Sequence, residues 1–375
     1  MNFKNLLKSV LTLGIFAVLA TGCSDEPEVV DPDEGNVVPA SGFYLLNQGN
    51  MGQNQASIDY YDFSTGNLTL DFYRKQNPTV AMALGDVGNQ IAIYDNKVWA
   101  VINCSNKVEV MDMECVRIGQ IEIPNCRYIA FFGDYAYVTS YAGPVDYQTG
   151  PTQLGYVAKI NVKTLKEEGR CTVGYQPDGI AISNGKIYVA NSYGYTGQNE
   201  PGKMSVIDVA TFKVDKEVEV GINLNQVAAD PEGKIWITSR GNYYNVASAI
   251  HCYDPAQDKV VADYDVPNSY ITIEGHTLYV IGVNWSLDTY EKQISYAEIN
   301  TLEGKVTTRR WEGSSEYSEM EYPYCLAVAP ANGDIFVTDA GDFINPGYIY
   351  CFSSDKSFKW RKRTGDIPAS IAFLK

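Results

Sequence analysis

The residues best suited to do chemistry in this chain are clustered aromatics and carboxamides in long polar segments, not histidines or cysteines in ligand spacing. The stretch "KIYVANSYGYTGQNEPGKMSVIDVAT" (186–211) sets the pattern. Its flanks alternate apolar and polar residues as strands do. Its centre is a loop of about ten residues, where a tight hairpin would need two, and it carries Asn191, Tyr193 and Tyr195. Comparable segments hold Asn47, Gln48, Asn50 and Met51; Tyr141; Arg240, Tyr243 and Tyr244; Asn284 and Trp285; and Asp339 and Phe343. Tyrosine and tryptophan offer contact area at low entropic cost together with a polar tip, which suits a large amphipathic ligand. The amides would pair with a ligand's own polar fringe, and Arg240 with an anionic group.

Other chemistries find less support. Carboxylates occur in the same segments (Asp86, Asp146, Asp178, Glu200, Asp339, Asp342, Glu316, Glu319 and Glu321), and two at a suitable separation could act as acid and base on a sugar or lactone. The two histidines, His251 and His276, have no metal-ligand spacing. No Ser–His–Asp or Cys–His set can be assembled around them from the sequence, and no phosphate-cradling glycine loop precedes a helix. The expectation is a binding protein with no catalytic residues, no metal and no required cofactor.

These segments must be positioned by something regular. Sliding "KIYVANSYG" along the chain finds "GFYLLNQGN" (42–50), "KVWAVINCS" (97–105), "YAYVTSYAG" (135–143), "KIWITSRGN" (234–242), "TLYVIGVNW" (277–285) and "DIFVTDAGD" (334–342). With the template that makes seven units, whose shared aromatics are Tyr44, Trp99, Tyr137, Tyr188, Trp236, Tyr279 and Phe336. Each is followed by another strand and a turn, and most are preceded by a short strand such as "GIAIS" or "CLAVAP". Four strands per unit, seven units and no sustained helical periodicity predict an all-β, seven-bladed β-propeller. The first unit lacks its inner strand, and the C-terminus supplies an orphan one, "PASIAFL" (368–374), so the C-terminal strand is expected to close the ring in the N-terminal blade. The loops from second to third strand then share one face with the links between blades. That face gathers the aromatics, whereas the opposite turns ("VATFK", "PAQDK", "NTLEG") are short.

The N-terminus is expected to lie outside the propeller. Residues 1–22 have two lysines, an apolar run and a small-residue "ATG" before Cys23, the layout of a secretory signal ending in a lipobox-like site. Cys23 is the expected lipidation site, and an ordinary cleaved signal is the alternative. Residues 23–40 carry six acidic side chains and read as an extended tether, leaving 41–375 for the propeller. The formal charge of −16 makes nucleic acid and anionic membrane surfaces poor partners. Seven cysteines follow Cys23; buried thiols or a local bridge are both expected before a metal site.

The unit "PDGIAISNGKIYVANSYG…GKMSVIDVATFKV…EVEVG" resembles the YncE-like, YVTN-type propeller repeat, and similar units cover 42–375. Together with the lipobox, the acidic leader and "SGFYLLNQGNMGQNQASIDYYD", the chain resembles the Bacteroides surface propeller lipoproteins, closest to the cobalamin-binding BtuG family. Neither the tryptophan docking motif nor the adjacent cysteine pair of quinone-dependent propeller enzymes is present. The resemblance implies an outer-membrane, lipid-anchored protein facing the cell exterior. It also implies tight capture of cobalamin or another corrinoid on the loop face, and transfer to a TonB-dependent outer-membrane transporter. The family offers no short corrinoid motif, so the candidate residues rest on the loops alone. A surface binder for a glycan or another nutrient, or a lactonase or hydrolase, is the alternative.

Overall fold

A computed structural model describes residues 41–80, 83–145, 152–193, 202–242, 244–286, 289, 291–312 and 314–374. The candidates Cys23, Tyr195 and Tyr243 lie outside the described residues, as does all of 1–40. Seven four-stranded antiparallel sheets form the blades of a β-propeller. The inner strands, one per blade, are Pro368–Leu374, Gly88–Tyr94, Cys126–Phe132, Pro177–Ser183, Leu224–Ala229, Tyr270–Glu274 and Pro323–Val328. Each packs against the inner strands of both neighbours, which makes the ring. As the orphan strand predicts, blade 1 runs in the order Pro368–Leu374, Gly42–Asn47, Ser57–Asp62, Asn67–Thr69, so the last strand of the chain pairs antiparallel with the first. The edge that an open sheet would leave is thereby used up.

The repeat's aromatic explains how blades stack. Tyr44, Trp99, Tyr137, Tyr188, Trp236 and Phe336 are all buried, on the second strands, in apolar clusters shared with neighbouring strands. Blades diverge outward from the axis, and a large ring fills the widening gap. Polar tips are satisfied: the Trp236 indole donates to Asp230 Oδ2 at 2.9 Å, and the Tyr44 hydroxyl to the Met113 carbonyl at 2.8 Å. Tyr279 is only half-buried.

Close to the axis, the residue preceding the apolar–small pair ties one blade to the next in blades 1, 2 and 5. Ser370 Oγ accepts the Ile91 amide at 3.1 Å, Gln90 Oε1 the Ile129 amide at 2.8 Å, and Gln226 Oε1 the Ile271 amide at 2.7 Å. Blade 4 has Gly179 there, and a Cβ would sit 2.4 Å from the Asn225 carbonyl oxygen; the glycine lets two backbones meet directly. Two short helices, Phe72–Gln76 and Glu316–Glu319, interrupt links where no helical periodicity is visible. All seven cysteines after Cys23 are free thiols, and only Cys104 is exposed.

Candidate functional site

Because the inner strands converge while their loops open outward, the loop face encloses an axial well of about 1180 Å³. Every blade contributes to its wall. Inner strands supply Ser370, Asn89, Gln90, Arg127, Tyr128, Asn225, Gln226, Tyr270 and Tyr324, loops supply Gln48, Met51, Asn103, Asn125, Tyr141, Arg240 and Asn268, and the end of the second strand of blade 6 supplies Asn284 and Trp285. Among the described lining residues there are nine carboxamides, two arginines and no aspartate, glutamate, lysine or histidine.

Six of the candidates thus come together: Gln48, Met51, Tyr141, Arg240, Asn284 and Trp285. Asn284 and Trp285 are expected in a loop but stand in strand Thr277–Trp285, where pairing with Gln293 and Lys292 extends the hairpin past the blade. Met51 and Trp285 project at the rim, 68% and 62% exposed. Gln48 accepts a 2.7 Å bond from the Tyr324 hydroxyl, linking a blade 1 loop to blade 7. Asn284 donates to Ser248 Oγ at 3.1 Å. Tyr141 donates to Asp178 Oδ1 at 2.7 Å, and its ring lies 4.8 Å from the Arg127 guanidinium carbon.

Other candidates are placed elsewhere. Asn47, Asn191 and Asp339 occupy one repeat position, three residues after the shared aromatic, and all are buried. Asn191 donates to Ser205 Oγ (2.9 Å) and the Lys203 carbonyl (2.8 Å), and accepts the Gly174 amide. Asn47 donates to Ser57 Oγ at 3.1 Å, and Asp339 accepts the Glu321, Tyr322 and Gly341 amides. The position is a strand-end pin that holds blade and loop together. Asn50 reaches the Ile344 carbonyl (3.4 Å), Tyr193 packs edge-on against Tyr175, and Phe343 packs against Tyr322 and Tyr324. Tyr244 is 68% exposed outside the well.

Four more of the described carboxylates bond within the scaffold. Asp86 accepts the Gly52 amide, Asp342 the Ile344 and Asn345 amides, and Glu316 pairs with Ser314. Asp178 accepts Arg127 Nε at 2.8 Å. Asp146 and Glu200 lie outside the described residues.

The sequence reading that no Ser–His–Asp set can be assembled is corrected by the fold. Ser239 Oγ lies 2.9 Å from His251 Nε2, and His251 Nδ1 lies 2.6 Å from Asp263 Oδ1. The three are scattered in sequence but stand on adjacent strands of blade 5. Access decides their role. Ser239 and His251 are buried, and Gly221 from blade 4 covers them so closely that a Cβ there would be 2.6 Å from Nε2. Neither Ser239 nor His251 lines the well. The trio is blade 5's form of the Asn191–Ser205 pin.

Sequence reasoning missed the inner-strand contributors Asn89, Gln90, Arg127, Tyr128, Gln226, Tyr270 and Tyr324. Their signal is the residue or two ahead of "IAI", "IAF", "VAA", "ITI" and "LAV"; in all of these strands but the one with "ITI", a register shift at the start breaks the alternation, so that consecutive residues both reach the well. Burial pushes the Tyr270 and Tyr324 hydroxyls well above their ordinary range, so both stand as neutral hydrogen-bond donors. Burial alone would lower the Arg127 pKa, but Tyr141 and Asp178 outweigh it and the guanidinium stays charged. Burial also raises the Cys104 thiol at the well's edge.

A family model described as a domain of unknown function, DUF5074, matches residues 41–348. The chain belongs to the DUF5074 family. No curated protein matches it in sequence. Among solved structures, a functionally unknown protein from Desulfotomaculum acetoxidans is 13% identical with a TM-score of 0.62, covering 89% of this chain and 99% of its own. A quinonprotein alcohol dehydrogenase-like protein from Bacteroides thetaiotaomicron is 13% identical (TM-score 0.61; 89% and 78% covered). Kuenenia stuttgartiensis hydrazine synthase is 17% identical (TM-score 0.61; 76% and 89% covered). At these identities the likeness is one of fold. No group of three or more metal-ligating side chains occurs among the described residues of this DUF5074 chain.

Proposed function

We propose that this DUF5074 protein captures a corrinoid in the axial well, as a lipoprotein anchored at Cys23 on the outer face of the outer membrane, and passes it to a TonB-dependent transporter. The observation that carries the reading is the well itself. At about 1180 Å³ it exceeds the roughly 300–1,000 Å³ of ordinary small-molecule pockets, and its wall is amide-rich and aromatic. A corrinoid is a broad ring fringed with carboxamides, the complement of that wall. The nine wall carboxamides would pair with that fringe. Trp285 and Met51 at the rim would cover an apolar ring face.

The exposed Trp285 also supports a second reading, in which the ring stacks on a sugar of an oligosaccharide. One measurement separates the two: calorimetric and absorbance titration with cyanocobalamin, then with oligosaccharides. The corrinoid reading requires one-to-one heat and a shifted corrin spectrum; no heat and no spectral change would remove it.

A further inference from the structure

The well's charge runs against that of the whole chain. The sequence holds 45 acidic and 29 basic residues, yet the described wall carries no carboxylate and two guanidinium groups. In an acidic protein such a wall is a local break in a repulsive field, and a concave low-dielectric site focuses that difference.

Arg127 is built into this wall. It stands on the inner strand of blade 3 with its side chain 16% exposed, and its backbone carbonyl accepts a 3.2 Å bond from Asn89. Asp178 takes the Nε edge of the fork and Tyr141 backs its face. The two terminal nitrogens make no hydrogen bond to another described residue. A guanidinium held along one edge presents its remaining donors in fixed geometry, which matches an oxyanion. Arg240 enters the same well from blade 5, and Tyr128 and Tyr324 line it as well.

We propose that the well contains an oxyanion subsite in which Arg127 and Arg240 bind a phosphoryl or carboxylate group of the ligand. The proposal rests on the reading of the well as a ligand site, but not on the ligand being a corrinoid. Asp178 is the positioning residue: it orients Arg127 and keeps it charged. Arg127 presents the directed donors, and Arg240 lines the same well.

The test uses inorganic pyrophosphate and malonate as probes, titrated calorimetrically at low ionic strength against the wild-type protein, R240M and R127M/D178N. The double variant removes the cation without stranding a buried carboxylate, and its melting curve shows whether it is folded. Loss of one charge-assisted contact raises the dissociation constant about tenfold or more. Binding to wild type that weakens by that factor in both variants supports the subsite; pyrophosphate alone would mark phosphoryl preference, and both probes a general oxyanion site. No binding of either probe at millimolar concentration, or binding indifferent to both variants, overturns it. Cyanocobalamin titration of the wild type runs in parallel: its failure alongside arginine-dependent anion binding defeats the corrinoid reading and leaves the subsite standing.

Discussion

Two buried ion clusters in adjacent blades use the same chemistry to opposite ends. In blade 2, Glu109 is fully buried and closed on all sides. It accepts Lys107 Nζ at 2.7 Å, Arg117 Nε at 2.6 Å and the Tyr73 hydroxyl at 3.0 Å. Tyr73 lies on the short helix Phe72–Gln76, so the cluster staples the blade 1 link onto blade 2. Between blades 3 and 4, Asp178 on the inner strand of blade 4 accepts Arg127 and Tyr141 of blade 3, and both of these partners also line the well. A saturated cluster fixes the scaffold, while one with an edge on the cavity can act on a ligand. A buried charge that loses its partner costs several kcal/mol, whichever use it serves.

That comparison is broken first by E109A. Lys107 and Arg117 would lose their shared anion, and stability should fall by about 3 kcal/mol, the lower end for a stranded pair because Arg117 reaches solvent. Chemical denaturation measures it, and the anion titration of the folded variant should be unchanged. R127M comes next, at a similar cost of roughly 3 kcal/mol, since Asp178 is left buried without a cation. Here the two properties separate. R127M/D178N should return to within about 1 kcal/mol of wild type while anion binding stays lost. If binding returned with stability, Arg127 would be as structural as Arg117.

S239A probes a smaller pin. Removing one partner of His251 in a buried network should cost about 1–2 kcal/mol, with ligand titration unaltered although Arg240 is the next residue. A catalytic serine would instead show loss of turnover with stability intact. W285A inverts the pattern: its ring is 62% exposed, so stability should move by less than about 0.5 kcal/mol. Ligand affinity should fall by about 2 kcal/mol, as for an aromatic anchor.

The fold was legible because a propeller writes its period into the chain. The aromatic of each second strand recurs, and the missing inner strand of the first unit reappears as "PASIAFL". The site was legible by half. Loops announce themselves by length and composition, which led to Gln48, Met51, Tyr141, Arg240, Asn284 and Trp285. The same logic also gathered Asn47, Asn191 and Asp339, whose polar side chains satisfy strand ends inside the blade. Arg127, Tyr128 and Tyr270 were hidden because they sit within strands, where only the register of seven aligned units shows which side faces the axis. Ser239, His251 and Asp263 join through cross-strand pairing, which spacing along the chain does not display.

A third ion cluster, partly exposed at each of its members, sharpens the contrast by its weakness. Lys186 donates to Asp208 at 2.8 Å and to Asp215 at 2.6 Å on the outer part of blade 4. The Lys186 bond, followed by the Thr211 amide, holds the Asp208 carboxyl down to about 2. Its folded pKa therefore lies below the unfolded value of about 3.9. The contribution to stability is present above pH 4 and is lost as pH falls toward 2. D208N should flatten that acid limb slightly and leave neutral stability almost unmoved, because water and salt screen an exposed pair. Denaturation curves at pH 7 and pH 3 would show the difference. A large loss at pH 7 would mean that exposure is not what distinguishes this cluster from Glu109, and the division between scaffold charge and site charge would have to be drawn on other grounds.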